Sequence, residues 1–311
     1  MMETKRYFDD IFDDKMNRDQ HDDHIVVDES YALIPTTFKA YRKTVTVPHV
    51  SLTLFEHQGG LLYPMRSTDR TIALIALIDA QAPVCLGDLK LKPGDITVLS
   101  DQSKPLFFTP KPYRMLTVTM ERTKFRALSK QLLQHTGKVI DTAIPNVVKY
   151  LFKPFEPIVN QPSTDDLSHF DKIQHHLNEI ISEILEHNLA YIPKLTKGEQ
   201  FALEIRNRVF AHIEPDIAIK NFAKEYGVTE QTMQNAFKSL FGMTPYKFLR
   251  NLKLNHVRKE LLQADPKKTT VVSVANKWGF THMGHFSGYY TQLFGENPSV
   301  TLQRAINASD D

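Results

Sequence analysis

The sequence predicts an α+β protein of two domains: a small β-barrel or sandwich with attendant helices, then an all-α domain. Three observations carry this. The chain has 311 residues, about twice the size of a common single domain. Residues 46–120 alternate short apolar runs with turn residues. Residues 219–298 write one helical pattern twice. Hydrophobic residues make up 41% and charged residues 24%, an ordinary globular composition, so each half can bury a core.

In the N-terminal half, apolar runs at 50–55, 71–78 and 115–120 read as strands, punctuated by Gly59-Gly60, Pro93-Gly94 and Pro110-Lys111-Pro112. Residues 91–99 read as strand, tight turn, strand, with Pro93 setting φ and Gly94 free to take a positive one. Between 167 and 185, Phe170, Ile173, Leu177, Ile180 and Ile184 follow one another at steps of 3, 4, 3 and 4, widened by Leu167, Ile181 and Leu185. That stripe suits a helix packed on its own barrel, or one that pairs with a second copy of the chain through 167–185. The stretch 191–199, with Pro193 and Gly198, marks the boundary. The organisation expected is therefore 1–190 (barrel about 46–120, helices 121–190), a linker at 191–199, and a helical domain at 200–305.

The repeat is the most specific signal. Ile219, Phe222, Ala223 and Tyr226 stand at offsets 0, 3, 4 and 7, followed by Gly227, Val228 and Thr229. Val271, Val274, Ala275 and Trp278 stand at the same offsets, followed by Gly279, Phe280 and Thr281. A second helix continues each copy: Met233, Phe237, Phe241-Gly242 and Pro245, then Phe286, Tyr290, Phe294-Gly295 and Pro298, with one residue more after the turn glycine. The offsets form one apolar helical face, the glycine ends the helix in a left-handed conformation, and the threonine is placed to cap the next helix. This is a helix-turn-helix, whose second helix can enter a DNA major groove. Residues 245–263 between the copies read as one helix about 28 Å long. That can set two recognition helices about one DNA turn, roughly 34 Å, apart.

Charge agrees. Net charge is +2, yet 220–304 holds twelve Lys and Arg against five Asp and Glu, whereas 1–30 holds ten acids against four bases. Lys247, Arg250, Lys253, Arg258 and Lys259 concentrate on the connecting helix, as phosphate contacts or as a solvated face. One cysteine, Cys85, excludes an internal disulfide framework and a four-thiolate zinc site, fits a reducing compartment, and reads as a small buried hydrophobe. No stretch has the length of a signal peptide's apolar core or of a membrane span, so the expectation is a soluble cytoplasmic chain without membrane association.

Taken together, Ser273-Val274-Ala275-Asn276-Lys277-Trp278-Gly279-Phe280, Phe286-Ser287, Tyr290 and Phe294-Gly295-Glu296-Asn297-Pro298-Ser299 resemble the AraC/XylS family of bacterial transcription regulators, most closely its XylS-like branch, over about 201–305. A weaker resemblance, through 91–99 and the strand pattern, is to the cupin-like effector and dimerisation domain of such regulators. The resemblance implies an activator that binds double-stranded DNA, answers to a small organic effector, works with RNA polymerase, and needs no cofactor. It assigns base reading to Gln231, Gln234 and Asn235 in the first motif and to Met283, Gly284 and Ser287, with Gly288, in the second. Thr229, Lys238, Thr281, His282 and His285 then meet phosphates. Gln and Asn suit adenine, whereas two glycines four apart either let the helix backbone approach DNA or make room for a neighbouring helix.

Other classes fit less well. His49, Glu56 and His57 form no His-x-His pair, so metal catalysis is not expected. Repair through a methyl-accepting cysteine domain lacks its cysteines. A DNA-binding regulator whose N-terminal domain only dimerises or binds a protein partner is the alternative to effector control. For an anionic effector the candidates are Arg66, Arg70 and Arg114, with plain surface charge as the competing reading.

Overall fold

The apolar run at 71–80 is β6 (Thr71–Ala80), the strand around which the N-terminal sheets are built. The computed structural model describes residues 25–27, 30–35, 40–140, 151, 166–187, 190–214, 217, 219–265 and 267–307. Their contacts divide the chain into two units: one takes in 25–27, 37–59 and 63–194, the other 195–311 together with 30–36 and 60–62.

In the first unit β6 pairs antiparallel with β11 (Tyr113–Glu121) and β9 (Ile96–Leu99). The sheet extends through β4 (Val50–His57) to β3 (Ala40–Val47) on one side, and through β12 (Val139–Ile140) to β13 (Ala190–Tyr191) on the other. A second sheet orders β1 (Ile25–Val27), β5 (Leu61–Ser67), β10 (Leu106–Phe108), β7 (Val84–Leu86) and β8 (Leu89–Leu91).

Alternation decides what each face meets. Leu52, Ile72, Leu74, Val98, Leu116 and Val118 form the outer core, packed under α1 (Arg126–Leu133) and α2 (Asp166–His187). Ala73, Ile75, Leu77, Leu99, Tyr113 and Met115 face inward, against Met65, Val84, Leu86, Leu91 and Phe107 of the second sheet. β6 is buried on both faces, so its apolar residues run without a polar alternation. The α2 stripe is settled by the same packing. Ile173, Leu177, Ile180, Ile181 and Ile184 are buried on their own sheet, so they are not a seam left open for a second copy. The side chains of Leu167 and Phe170 lie outside the described residues.

At the inner end of β4, His57 accepts a hydrogen bond from the Gly59 amide at Nδ1 (2.8 Å). Burial pulls its pKa down to about 4, which holds the ring neutral. A Cβ on Gly59 would stand 2.4 Å from the Lys111 carbonyl oxygen, so only glycine fits there. Beside it the Tyr63 and Tyr113 hydroxyls meet at 3.3 Å and Phe107 packs against both rings. Cys85 is fully buried. The arginines considered for an anion are not gathered: Arg70 and Arg114 are exposed, and Arg114 lies in register with Glu56 and Asp79.

The second unit holds α3 (Lys197–Ala211), α4 (Ile219–Glu225), α5 (Glu230–Phe241), α6 (Pro245–Gln263), α7 (Val271–Lys277), α8 (Met283–Phe294) and α9 (Pro298–Asn307). Helix starts follow their caps. Thr196 makes a capping box with Glu199, Thr244 caps α6 with Pro245 in its first turn, and Thr270 boxes with Ser273. Phe237, Phe241 and Phe248 pack α5 on α6.

A short extended segment completes this unit. β2 (Tyr31–Ala32) pairs with Leu61 and Leu62, and α6 holds it by its backbone. Asn255 accepts from the Ala32 amide (2.8 Å) and donates to its carbonyl (2.7 Å), while Asn251 donates to the Leu33 carbonyl (2.7 Å). Tyr31 lies between Phe210 and His256, and His256 stacks on Trp278. No described helix is long and apolar enough to cross a membrane.

Candidate nucleic-acid interface

Both copies of the repeat fold through the same turn. In the first, Gly227 takes φ +61° and the Val228 amide reaches back to the Ala223 carbonyl (3.0 Å). In the second, Gly279 takes φ +81° and the Phe280 amide reaches the Ala275 carbonyl, also at 3.0 Å. A residue in this left-handed region lets the chain leave α4 or α7 while the orphan carbonyls stay bonded. The apolar residue that follows is half-buried in each copy, and the Phe280 ring packs on Phe286.

The starts of the second helices differ. Thr229 caps α5, accepting from the Thr232 amide at 3.1 Å. Thr281 does not do this for α8: the N-cap is His282, with no side-chain cap bond. The extra residue after Gly279 moves the helix start one place on, which leaves Thr281 before the cap and exposed.

α5 buries Met233, Ala236, Phe237, Leu240 and Phe241. Its outer face carries Gln231, Asn235 and Lys238, all exposed, with Gln234 half-buried at the margin. Gln231 Nε2 donates to Asn235 Oδ1 (2.8 Å), so the two amides hold each other one turn apart. The Gln231 carbonyl oxygen and the Asn235 amide nitrogen are left to meet an outside partner.

α8 buries Phe286, Tyr290 and Leu293. Tyr290 donates to Thr301 (2.8 Å), which donates to Glu296 (2.8 Å), and Glu296 also pairs with Arg304 (2.7 Å) and Arg258 (3.4 Å). Arg258 therefore serves the fold, its guanidinium also lying over Phe294. Gly284 and Gly288 are exposed, and a Cβ at either would meet nothing within 4 Å. They make no room for a neighbouring helix; they leave the face smooth and open. Met283 and Ser287 are half-buried beside it, whereas His282 and His285 are exposed.

The other flank of α8 is built from residues that carry no signal in the sequence pattern. His282, His285 and Tyr289 follow along it with ring centroids 6.0 and 6.3 Å apart, and Arg250 of α6 lies 3.7 Å over Tyr289. Arg250 was legible only as one of five bases on the connecting helix. At the far end of α6, Glu260 accepts from Lys277 (2.9 Å) and from the Trp278 ring nitrogen (3.0 Å). Burial raises its pKa, but these bonds outweigh that and leave it lowered. Among the described residues no three His, Cys, Asp or Glu side chains are grouped to hold a metal ion.

A family profile described as a helix-turn-helix domain matches residues 222–304. The chain is similar, at 37% identity over 93 residues, to a probable thc operon regulatory protein of Rhodococcus erythropolis, a match over 30% of this chain and 28% of that protein. It is also similar to a XylDLEGF operon transcriptional activator of Pseudomonas putida, at 26% identity over 133 residues, covering 42% and 41%. The chain thus spans well under half the length of these curated relatives. One similar solved structure is that of a probable AraC family transcriptional regulator from Rhodopseudomonas palustris CGA009, with 31% identity, 34% of this chain and 97% of that chain covered, and a TM-score of 0.32. The profile takes in the second helices of both motifs and the helix between them, so residues 222–304 carry a helix-turn-helix domain.

Proposed function

We propose that the chain is a sequence-specific DNA-binding transcription regulator, an activator that responds to a small organic effector and acts with RNA polymerase. The observation that carries the DNA reading is the pair of motifs with one turn geometry, each presenting an exposed and largely polar second-helix face. The relatives' names support regulation, and in one case activation.

The two helices divide the work. Gln231 and Asn235, locked to each other, offer an acceptor and a donor side by side, the complement of an adenine edge in the major groove. Gln234 joins them at the margin, and Thr229 and Lys238 take phosphates. On α8 the smooth strip of Gly284 and Gly288, bordered by Met283 and Ser287, lets the helix backbone come close, with Thr281, His282 and His285 on phosphates. The first unit receives the effector, and effector binding alters how the second meets DNA.

Selection of sheared source-genome DNA on the full chain, followed by sequencing, tests this reading. The expected result is an asymmetric site with two elements about one helical turn apart. Absence of enrichment with the full chain, with and without an extract of small molecules from the source cells, overturns it.

A further inference from the structure

The two halves of the second unit match over more than their helix-turn-helix motifs. The step that sets Ile219 on Val271 and Tyr226 on Trp278 also sets α3 on the later part of α6, so that Ala211 falls on Gln263 and Gly198 on Arg250. The bonding agrees with this match: Arg208, bonded to Tyr226, falls on Glu260, bonded to Trp278. After the one added residue, Thr229, Thr232 and Ala236 of the first motif fall on His282, His285 and Tyr289 of the second.

At the first joint the pair is small. α3 lies so close to α5 that a Cβ on Gly198 would stand 3.3 Å from the Ala236 methyl group. At the second joint the same two places hold Arg250 and Tyr289, with the guanidinium 3.7 Å over the ring. Two apolar side chains would fill that joint without drawing a charge partly out of water, so packing alone does not account for an arginine. Its Nε lies 3.4 Å from Asn251 Oδ1, and none of the described carboxylates pairs with it. The ring fixes the plane of the guanidinium and leaves its two Nη groups at the edge, where they can take a two-oxygen partner.

The place of the pair says which partner. α6 begins just after α5, and Arg250 stands about 8 Å along it. The flank of α8 that Arg250 covers is therefore the one turned toward the first motif. His285 and His282 continue that flank, both exposed, beside the open face of Gly284 and Gly288. Two recognition helices one turn apart on one side of a duplex leave a stretch of minor groove between them, bordered by its phosphate strands. We propose that Arg250, held flat on Tyr289, grips a phosphate of this intervening stretch through its two Nη groups, with His285 and His282 following the same strand toward the second element. This rests on the DNA reading given above and adds a contact that lies outside both elements.

The test is ethylation interference on a selected site, with the full chain as wild type, Arg250→Gln, Arg250→Lys, Tyr289→Phe and Tyr289→Leu. Ethyl groups on phosphates between the two elements should weaken wild-type binding. Arg250→Gln should lose that interference, keep it at the phosphates around each element, bind about tenfold more weakly, and make the slope of log affinity against log salt shallower by about one. Arg250→Lys should keep the slope but recover only part of the affinity, since it has the charge without the fork. Tyr289→Phe keeps the ring and should bind as wild type does, whereas Tyr289→Leu should lose the same interference as Arg250→Gln. Thermal midpoints of each variant separate a joint that only packs: a lowered midpoint in Arg250→Gln, with interference reduced alike at every phosphate, overturns the proposal. So does interference between the elements that survives in Arg250→Gln, or a preference for particular intervening base pairs with no phosphate interference there, which would assign Arg250 to base edges in the minor groove. In each of those outcomes a site is still selected and the DNA reading stands. A chain that selects no site removes that reading and this contact with it.

Discussion

At the scale of single residues, the smooth strip on α8 makes opposite demands on stability and on binding. Glycine inside a helix costs about 1 kcal/mol relative to alanine, and Gly284 and Gly288 sit where a methyl group would meet nothing. Gly288→Ala should therefore raise the stability of the second unit by up to about 1 kcal/mol. If the backbone approaches DNA there, the same methyl group weakens binding several-fold. Urea midpoints and fluorescence anisotropy on one preparation read both; a stabilised variant with unchanged affinity removes α8 from the groove. A second comparison tests the division between the helices. Gln234→Ala should flatten base preference at its position, whereas His282→Ala should weaken all sites alike. Equal loss of preference from both refutes the asymmetry. The sequence placed the turn glycines and α5's exposed amides correctly because those follow from local rules. It misjudged Thr281, since a one-residue insertion shifts the cap, and it left α8's glycines between two readings that only the absence of a neighbour decides.

At the scale of elements, α6 does more than hold two motifs apart. Its periodicity marks Phe248, Leu252 and Leu261 as core, and its length was legible from Pro245 to Gln263. Nothing in the sequence links Asn251 or Asn255 to residues more than two hundred positions earlier. Their bonds are to backbone atoms of residues 32 and 33 and carry no side-chain signature. Asn251 is buried, so Asn251→Ala leaves the Leu33 carbonyl unpaired and should destabilise the second unit by about 1–3 kcal/mol. Chemical denaturation followed by the Trp278 fluorescence, the chain's single tryptophan, is the measurement. An unaltered midpoint would show that this segment does not brace α6. In the first unit, β4 ends on a histidine that the fold keeps neutral. Its pKa is about 4 in the folded chain and near 6.5 when unfolded. Between those values the unfolded chain takes up a proton that the folded one refuses. Stability of this unit is thus unaffected above pH 7, falls from pH 6.5 to pH 4, and levels off below, by about 3 kcal/mol in total. His57→Gln should remove that limb from unfolding midpoints recorded across the range. A limb that persists in the variant assigns it to other groups.

At the scale of the whole molecule, the distribution of charge was readable in the sequence, but how many cations are available to DNA was not. The twelve bases of 220–304 look alike on paper. In the fold Arg258 and Arg304 are drawn to Glu296, Lys268 to Asp265 and Lys277 to Glu260. A base already neutralised by a carboxylate releases no DNA counterion, so at most eight of the twelve can contribute. Each phosphate neutralised adds about −0.9 to the slope of log affinity against log salt. The slope should therefore be no steeper than about −7, and four to six contacts would put it near −4 to −5. Lys238→Gln, on the exposed face of α5, should make it shallower by about one. Lys268→Gln, whose charge is spent on Asp265, should leave it unchanged. Anisotropy titrations on a selected site from 50 to about 300 mM KCl decide the matter. A nearly flat slope would mean that the basic C-terminal unit does not meet the phosphate backbone. An equal change from both substitutions would mean that the ion pairs open on DNA and that all twelve bases are in play.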